Sequence, residues 1–446
     1  MNNIKRLLAA VALCVAVMDA GAQNGFNMPY SQFGIGSGEQ PYNLPMVTRM
    51  GGVVYTTAGN NHINPFNPAS YGAIETESFV FDMGVGLQMS TLRDNTDHLY
   101  DADGNLSYLL MAMPLTKWWK VAVGLMPYSE VNYESVETQN VAGAGDVKTV
   151  YFGSGGVNEV ILGTAFNVLR GDKGKRPSLT LGINANWLTG SVQRAISYAF
   201  QGNDSTYYMN GRRYRKTTVG NVTVDVGLQL RQPLGDRWTL GAGMVYKPYM
   251  DLKVKDLALI YTYHTSDESL VDTIFPGRGQ DAGFDSRMEQ AHTFGLGLSL
   301  ERNKRWRVAA DVTMAAWQGM KYTEGQTPSV MGDNAMIYGP WQRYALGYEK
   351  MGDMDAASYW GRMSWSLGAH LEQGDLWLTL DGTEHRIDEW GLGAGVTMPM
   401  RKGRSLLTLS VGYSSFGSLD VLQRNTFTVG IAVSSCEHWF FKRKYN

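Results

Sequence analysis

The sequence predicts an all-β fold: a transmembrane antiparallel β-barrel of about fourteen strands, preceded by an N-terminal hatch or plug segment inside it. The first observation is a two-residue rhythm that begins near Phe79 and recurs almost to the C-terminus. Successive strand side chains point to opposite faces, so apolar residues alternating with small or polar ones mark a wall with one apolar face. The second observation is a regular exchange of short and long polar connections along the chain. The third is composition: 52 glycines in 446 residues, against about 7% in ordinary chains. Aromatics reach 11%. Glycine suits places where strands bend or backbone crowds the lumen, and aromatics suit the membrane interfaces.

The N-terminus reads as an export signal over residues 1–22. Lys5 and Arg6 form the positive region, Leu7 to Met18 is apolar throughout, and Ala20-Gly21-Ala22 is a small-residue cleavage site. This apolar run is shorter than the ~20 residues that span a bilayer. A lipoprotein signal built on Cys14 is disfavoured, because Leu13 stands where a small residue is expected. Cleavage after Ala22 leaves Cys436 as the one cysteine, which excludes an intrachain disulfide and zinc sites built on several thiolates. No later run approaches spanning length, so an α-helical membrane protein is excluded as well. The net charge of −2 offers no electrostatic case for nucleic acid.

Residues 23–75 break the alternation and are rich in Gly, Pro and Asn. The steps Asn64-Pro65 and Asn67-Pro68 enforce extended or turn geometry and remove amide donors. A barrel of this size is too wide for its wall side chains to fill, so the segment before the first strand is well placed to plug it.

From residue 76 to 446 the alternation resumes. Phe79, Phe81, Met83, Val85, Leu87 and Met89 stand against Val80, Asp82, Gly84, Gly86 and Gln88. Val222 to Leu230, Phe294 to Leu300, Trp390 to Met398, Leu407 to Tyr413 and Phe427 to Val433 repeat the pattern. A soluble sandwich also alternates, but it has no need of so many glycines opposite the apolar set. The expected strands are 78–90, 106–114, 118–133, 148–170, 177–200, 218–232, 237–263, 292–302, 306–318, 341–350, 360–373, 387–400, 404–416 and 424–436. An extra hairpin at Lys247-Pro248 would raise the count, and the turn near 351–359 is longer than its counterparts. Long loops are expected at Ser90–Asn105, Glu134–Lys148, Gln201–Thr218, His264–Ala291 and Gly319–Pro340. Trp118, Trp119, Tyr128, Tyr133, Trp187, Trp238, Tyr246 and Trp306 fall near strand ends, where interfacial girdles belong. Met126-Pro127-Tyr128 puts a proline inside a strand, which demands a bulge or a break in the ladder.

The motif Asn67-Pro68-Ala69, preceded by Met50-Gly51-Gly52 and Asn60-Asn61, resembles the hatch of the FadL/TodX-type outer-membrane transporters of hydrophobic compounds. The chain departs from that pattern at Asn64-Pro65-Phe66 and at Ser70-Tyr71. The opening Met28-Pro29-Tyr30-Ser31-Gln32-Phe33-Gly34 and the tail Lys442-Arg443-Lys444-Tyr445 look like a Bacteroidetes-type branch. The resemblance implies a bacterial outer-membrane barrel that passes small hydrophobic molecules, fatty-acid or hydrocarbon-like. Asn67, Pro68 and Ala69 would form the hatch scaffold, with Phe66 and Tyr71 as substrate contacts. In that family a kink in the third strand opens the wall sideways, which assigns Pro127 to a lateral exit; a harmless bulge near the rim is the other reading. The partners implied are a hydrophobic molecule or lipid and the outer-membrane lipids. The alternative function is an assembly- or secretion-associated barrel that holds protein partners on its loops and basic tail.

No enzyme, cofactor or metal is expected. The seven histidines show no metal-ligand spacing, and Gly34–Gly38 and Gly153–Gly156 do not lie between a strand and a helix. His370 and Glu372 share a lumen face with Ser364 and Ser366 and read as lining. Asp101–Asn105 lacks the later acidic ligand of a calcium loop.

Overall fold

The structure, a computed structural model, describes residues 28–32, 34–38, 44–95, 97–171, 176–201, 209–263, 270–276, 283–317, 322–323, 337–380, 383–400 and 405–438. The export signal over 1–22 and the basic tail Lys442–Lys444 lie outside them.

Fourteen strands follow one another around a closed antiparallel barrel. β1 (Ser78–Arg93), β2 (His98–Pro114), β3 (Trp119–Val141), β4 (Gly145–Leu169), β5 (Ser178–Gln201) and β6 (Asn210–Leu234) form one side. β7 consists of Trp238–Lys247 and Met250–Tyr263, which pair with the two halves of β6. β8 consists of Gly283–Gln290 and Thr293–Arg302, paired with the same two pieces of β7. β9 (Trp306–Ala315), β10 (Trp341–Lys350), β11 (Ser364–Gln373), β12 (Glu389–Met400), β13 (Ser405–Phe416) and β14 (Gln423–His438) complete the wall. β14 then pairs with β1 from Ser78↔His438 to Arg93↔Gln423, which removes the outer edges of the sheet.

The Lys247-Pro248 step starts no hairpin. The β6–β7 ladder carries one extra residue on β7 between Val226↔Tyr246 and Val219↔Val254, so proline sits at a bulge, where its missing amide costs no ladder bond. The connection between β10 and β11 spans 351–363 and holds a single-turn helix, α2 (Tyr359–Arg362), whose N-cap Ser358 hydroxyl accepts from the Gly361 amide.

Three expected loops are largely strand. β1 and β2 run through most of Ser90–Asn105, β3 and β4 through Glu134–Lys148, and β5 and β6 through much of Gln201–Thr218. Gly283–Gln290 likewise extends β8 into the segment expected as loop at His264–Ala291. These stretches rise beyond the apolar band. Glu134–Val141 is exposed on both faces, and the buried positions of the β6 stretch, Asn210, Arg215 and Thr217, are polar, so no apolar alternation marks either, and the inter-strand hydrogen bonds keep the backbone extended. One side of the wall is therefore taller: β3 to β6 span 23 to 25 residues, whereas β9, β10 and β11 span 10.

Burial is inverted relative to a soluble protein. Leu298 and Leu367 are each 60% exposed, while Asp82, Asn184, Asp225, Asp311 and Glu349 are buried. An outward apolar band around a polar interior is the pattern of a wall that faces lipid. Trp118, Trp119 and Phe166 stack together at the short-turn end, where Trp238 meets Trp306 and Trp360 stacks on Trp365. Tyr246 with Phe294 and Trp390 with Tyr413 lie toward the opposite end. Tyr128 and Tyr133, expected in a girdle, instead point inward: Tyr133 is buried and the Tyr128 hydroxyl accepts from Gln290 at 3.0 Å. The reason is a register shift between Pro127 and Ser129, which moves the inward face from even to odd positions.

Candidate functional site

Residues 44–74 pack against the inward faces of the wall and pass around the lumen in the reverse of strand order. The one-turn helix α1 (Pro45–Thr48) lies on β12, β13 and β14, residues 49–52 reach β10 to β12, and Tyr55 reaches β6 to β9. Asn67 to Ala69 lie on β5 and β6, and Tyr71 with Gly72 on β4 and β5. Glycine makes this seat possible. Gly347, Gly368, Gly393 and Gly412 are direct cross-strand partners on β10 to β13, forming a row without side chains. A Cβ at Gly393 would strike the Thr48 carbonyl, one at Gly368 the Met50 carbonyl, and one at Gly347 would lie 2.8 Å from that same oxygen. Gly51 completes the fit from the inside, with φ +62 and its backbone against Gly368 and Ala369.

One half of the lumen is polar and the other mixed. On the β9–β11 side, Arg49 donates to Glu349 at 2.5 Å, and Arg307 donates to the other carboxylate oxygen at 2.8 Å. All three side chains are under a tenth exposed. Asp311 accepts from the Val54 and Tyr55 amides at 2.5 and 2.9 Å, and Arg343 lies between the Gly52 carbonyl and Glu372. His62, behind this cluster, is pushed down to about 4 by burial first and then by the Arg49 and Arg307 charges. It therefore adds no third cation at neutral pH. On the β2–β7 side the filling is mixed: Ile63, Tyr71, Ile74, Tyr108, Leu110, Met126 and Ile161 form one apolar cluster, with Phe66 packed against it, and Glu159, Asn184, Asp225 and the Arg215–Asp256 pair are buried on the same strands. Ile35, Val157, Leu188, Val219, Leu252 and Val254 form a second, bordered by Tyr128.

The structure brings Phe66, Asn67, Pro68, Ala69 and Tyr71 together at the first apolar cluster, which contains Tyr71 and has Phe66 packed against it. Asn67, fully buried, ties three chain segments. Its Oδ1 accepts from the Ala69 amide at 3.1 Å and caps the 3-10 turn Pro68–Ala73, while its Nδ2 donates to the carbonyls of Tyr55 (2.8 Å) and Leu228 (3.3 Å). Pro68 follows as the first residue of that turn, where its fixed φ is favourable and its missing donor is no loss. Tyr71 is 1% exposed and donates to Asn184 Oδ1 at 3.1 Å; burial holds its phenol well above the ordinary range. Asn67→Ala removes a cap and leaves the buried Tyr55 carbonyl with only the Gln229 amide. It is expected to lower stability by about 2 kcal/mol. Urea unfolding in detergent, followed by tryptophan fluorescence, measures the shift.

Sequence reasoning left out the charged cluster of Arg49, Arg307, Asp311, Arg343 and Glu349. The signal was parity: Arg307 and Glu349 each alternate with lipid-facing Val308 and Tyr348.

Pro127 stands at a parting of the wall. The β2–β3 ladder runs only from Pro114↔Lys120 to Leu109↔Leu125. Beyond it, β2 pairs with β1 as far as His98, and β3 pairs with β4 as far as Val141. Between the two strands lies a notch whose lower corner is Leu125-Met126-Pro127. Proline has no amide to continue the ladder, and Tyr128 is the extra residue of the adjoining β3–β4 bulge. A short piece of the N-terminal segment enters the notch: Ser37 pairs with Glu130 and Gly38 with Ser129. The Met28 amide donates to Asn132 at 2.6 Å, the Ser129 hydroxyl to the Ile35 carbonyl at 2.9 Å, and Arg194 to the Gly34 carbonyl at 2.9 Å.

A protein-family model described as BamG matches residues 3–446. No curated protein sequence matches the chain. Among solved structures, a FadL homologue from Pseudomonas aeruginosa superposes with a TM-score of 0.54 at 14% identity, over 93% of this chain and 100% of that one. The Pseudomonas putida toluene transporter TodX gives 0.54 at 15%, over 89% and 98%. The CymD monoaromatic hydrocarbon channel gives 0.51 at 12%, over 90% and 99%. At these identities the likeness is one of fold: a barrel of the FadL type.

Proposed function

The chain belongs to the BamG family, and on that premise we propose that it is an outer-membrane barrel that takes small hydrophobic molecules into the apolar clusters of its lumen and releases them sideways beside Pro127. One observation carries this reading: the wall parts beside two apolar clusters of the lumen, with Met126 in the first and Tyr128 packed against the second. Phe66 and Tyr71 are the proposed substrate contacts, and Asn67, Pro68 and Ala69 the scaffold of a hatch formed by residues 23–75. Burial of an alkyl chain at roughly 0.8 kcal/mol per CH₂ would supply affinity without a dedicated charge. The filled lumen then calls for hatch rearrangement during passage. A place in the Bacteroidetes-like branch belongs to the same proposal and rests on the motif that begins at Met28.

The test is uptake of radiolabelled fatty acids and toluene by a deletion strain carrying the wild-type gene or a variant with Tyr128 deleted and Pro127→Val, which restores a continuous ladder. Uptake is expected to fall by about tenfold in the variant, equivalent to a barrier higher by roughly 1.4 kcal/mol. Unchanged uptake on deletion of the gene, across chain lengths, would sink the substrate class. A second reading, a barrel that holds protein partners, is favoured by one observation of its own: β3 to β8 rise above β9 to β11, and among the described residues the outer part of β3 has no strand on one side.

A further inference from the structure

The outer part of the notch exposes strand backbone. From Ser135 to Val141, β3 has β4 on one side and, among the described residues, no strand on the other. Every residue from Glu134 to Val141 is exposed. Edges of this kind are templates for a further strand, and natural barrels remove them by closure. Here closure is given up over the outer half of one strand. Among the described residues the chain covers that edge only as far as Asn132, through Ser37 and Gly38 opposite Glu130 and Ser129 and through the Met28 amide on the Asn132 carbonyl. That pairing shows which geometry the edge accepts: an antiparallel strand laid along β3.

Charge narrows the occupant. The two strand edges that face the notch, His98–Ser107 and Met126–Val141, carry Asp101, Asp103, Glu130, Glu134 and Glu137 and contain neither lysine nor arginine. Val136, 50% exposed, and Val141 offer apolar contacts between the acidic positions. In an antiparallel self-pairing of two copies centred between Ser135 and Val136, Glu134 would face Glu137 of the other copy, which like charges oppose. We propose that the Ser135–Val141 edge is an acceptor site for an extended, basic segment of a protein partner, which adds to β3 antiparallel outward of the Met28 contact at Asn132. Main-chain hydrogen bonds would supply the register and alternate Lys or Arg side chains the selectivity. The site lies above the corner at Pro127, so it is independent of lateral release. It rests on the partner-holding reading.

The experiment uses the full chain in detergent and three ten-residue fluorescent peptides. One alternates Lys with Val, one alternates Glu with Val, and the third is the Lys–Val peptide with alternate backbone amides N-methylated. Anisotropy should show binding of the Lys–Val peptide alone, and amide exchange at Ser135–Val141 should slow when it is bound. Glu134→Gln with Glu137→Gln, two exposed changes that leave the fold intact, should weaken binding several-fold and flatten its salt dependence. Equal binding of the N-methylated peptide, or binding without protection of β3, would overturn the proposal by reducing it to diffuse charge attraction. So would a dimer cross-linked through this edge. Co-purification from native membranes tests the broader reading separately: a stoichiometric partner whose removal leaves Ser135–Val141 exchange unchanged would keep that reading and discard this site.

Discussion

Gly393→Val is expected to unseat the internal segment and to abolish the compact, heat-modifiable form of the barrel on unboiled gels. The added Cβ would strike the Thr48 carbonyl, and the neighbour is main chain, with no rotamer through which to withdraw. Thr48 cannot shift alone: its amide and its hydroxyl both donate to the Leu44 carbonyl, at 2.9 and 3.1 Å, and the Gly51 amide donates to the carbonyl that would be struck. Overpacking a site of this kind costs about 1–3 kcal/mol, and displacement of residues 45–52 would add the loss of the Arg49 contacts. Gly220→Val is the control, because nothing lies within 4 Å of a Cβ there. Limited proteolysis should cut Gly393→Val within 44–74 and spare both Gly220→Val and the wild type. Wild-type protease resistance in Gly393→Val would mean that the segment does not rest on the glycine row.

Glu349→Gln should be the most damaging single change to the polar half. Its carboxylate accepts from Arg49 at 2.5 Å and from Arg307 at 2.8 Å, so neutralising it leaves two buried guanidiniums facing a weaker acceptor. Loss of one partner from a buried ionic group costs about 3–5 kcal/mol, chiefly because the remaining charge is stranded. The sign of the coupling follows. Arg49→Met alone leaves a balanced Arg307–Glu349 pair and should cost less than Glu349→Gln. Added to Glu349→Gln, it should recover part of the loss by removing one stranded cation. Urea unfolding of the four species in detergent gives the double-mutant cycle directly. A positive conductance change in planar bilayers should accompany Arg49→Met, because Arg49 is the strongest ionic tie between the internal segment and the wall. Additive effects of the two substitutions would show that the contact contributes no coupling.

Most of the wall was legible in the chain because a lipid-facing sheet must alternate. Each of the fourteen strands left its period-two signature wherever one face met lipid and the other the lumen. The reading failed where that constraint lapsed. Glu134–Val141 of β3 is exposed on both faces and Asn210–Thr217 of β6 buries polar residues, so neither carries an apolar alternation, and both read as loop although they are paired. Tyr128 and Tyr133 were misplaced because one bulged residue reverses every later side chain on a strand. Pro127 was visible as an interruption, since proline cannot donate to a ladder. That β2 and β3 diverge at that point depends on the length of β2's pairing with β1.

Glycine marks the boundary between the two kinds of knowledge. Composition alone determined that this chain is an exceptional user of glycine and that an alternating wall would contain it. Only the tertiary structure decided that Gly347, Gly368, Gly393 and Gly412, scattered over 66 positions of sequence, fall into one row. Alternation is a local property, fixed by the pleat of each strand against lipid. Which glycines align, which charges meet across the lumen and where the wall parts are set by register between strands. Register comes from the sum of all cross-strand contacts, and no single strand contains it.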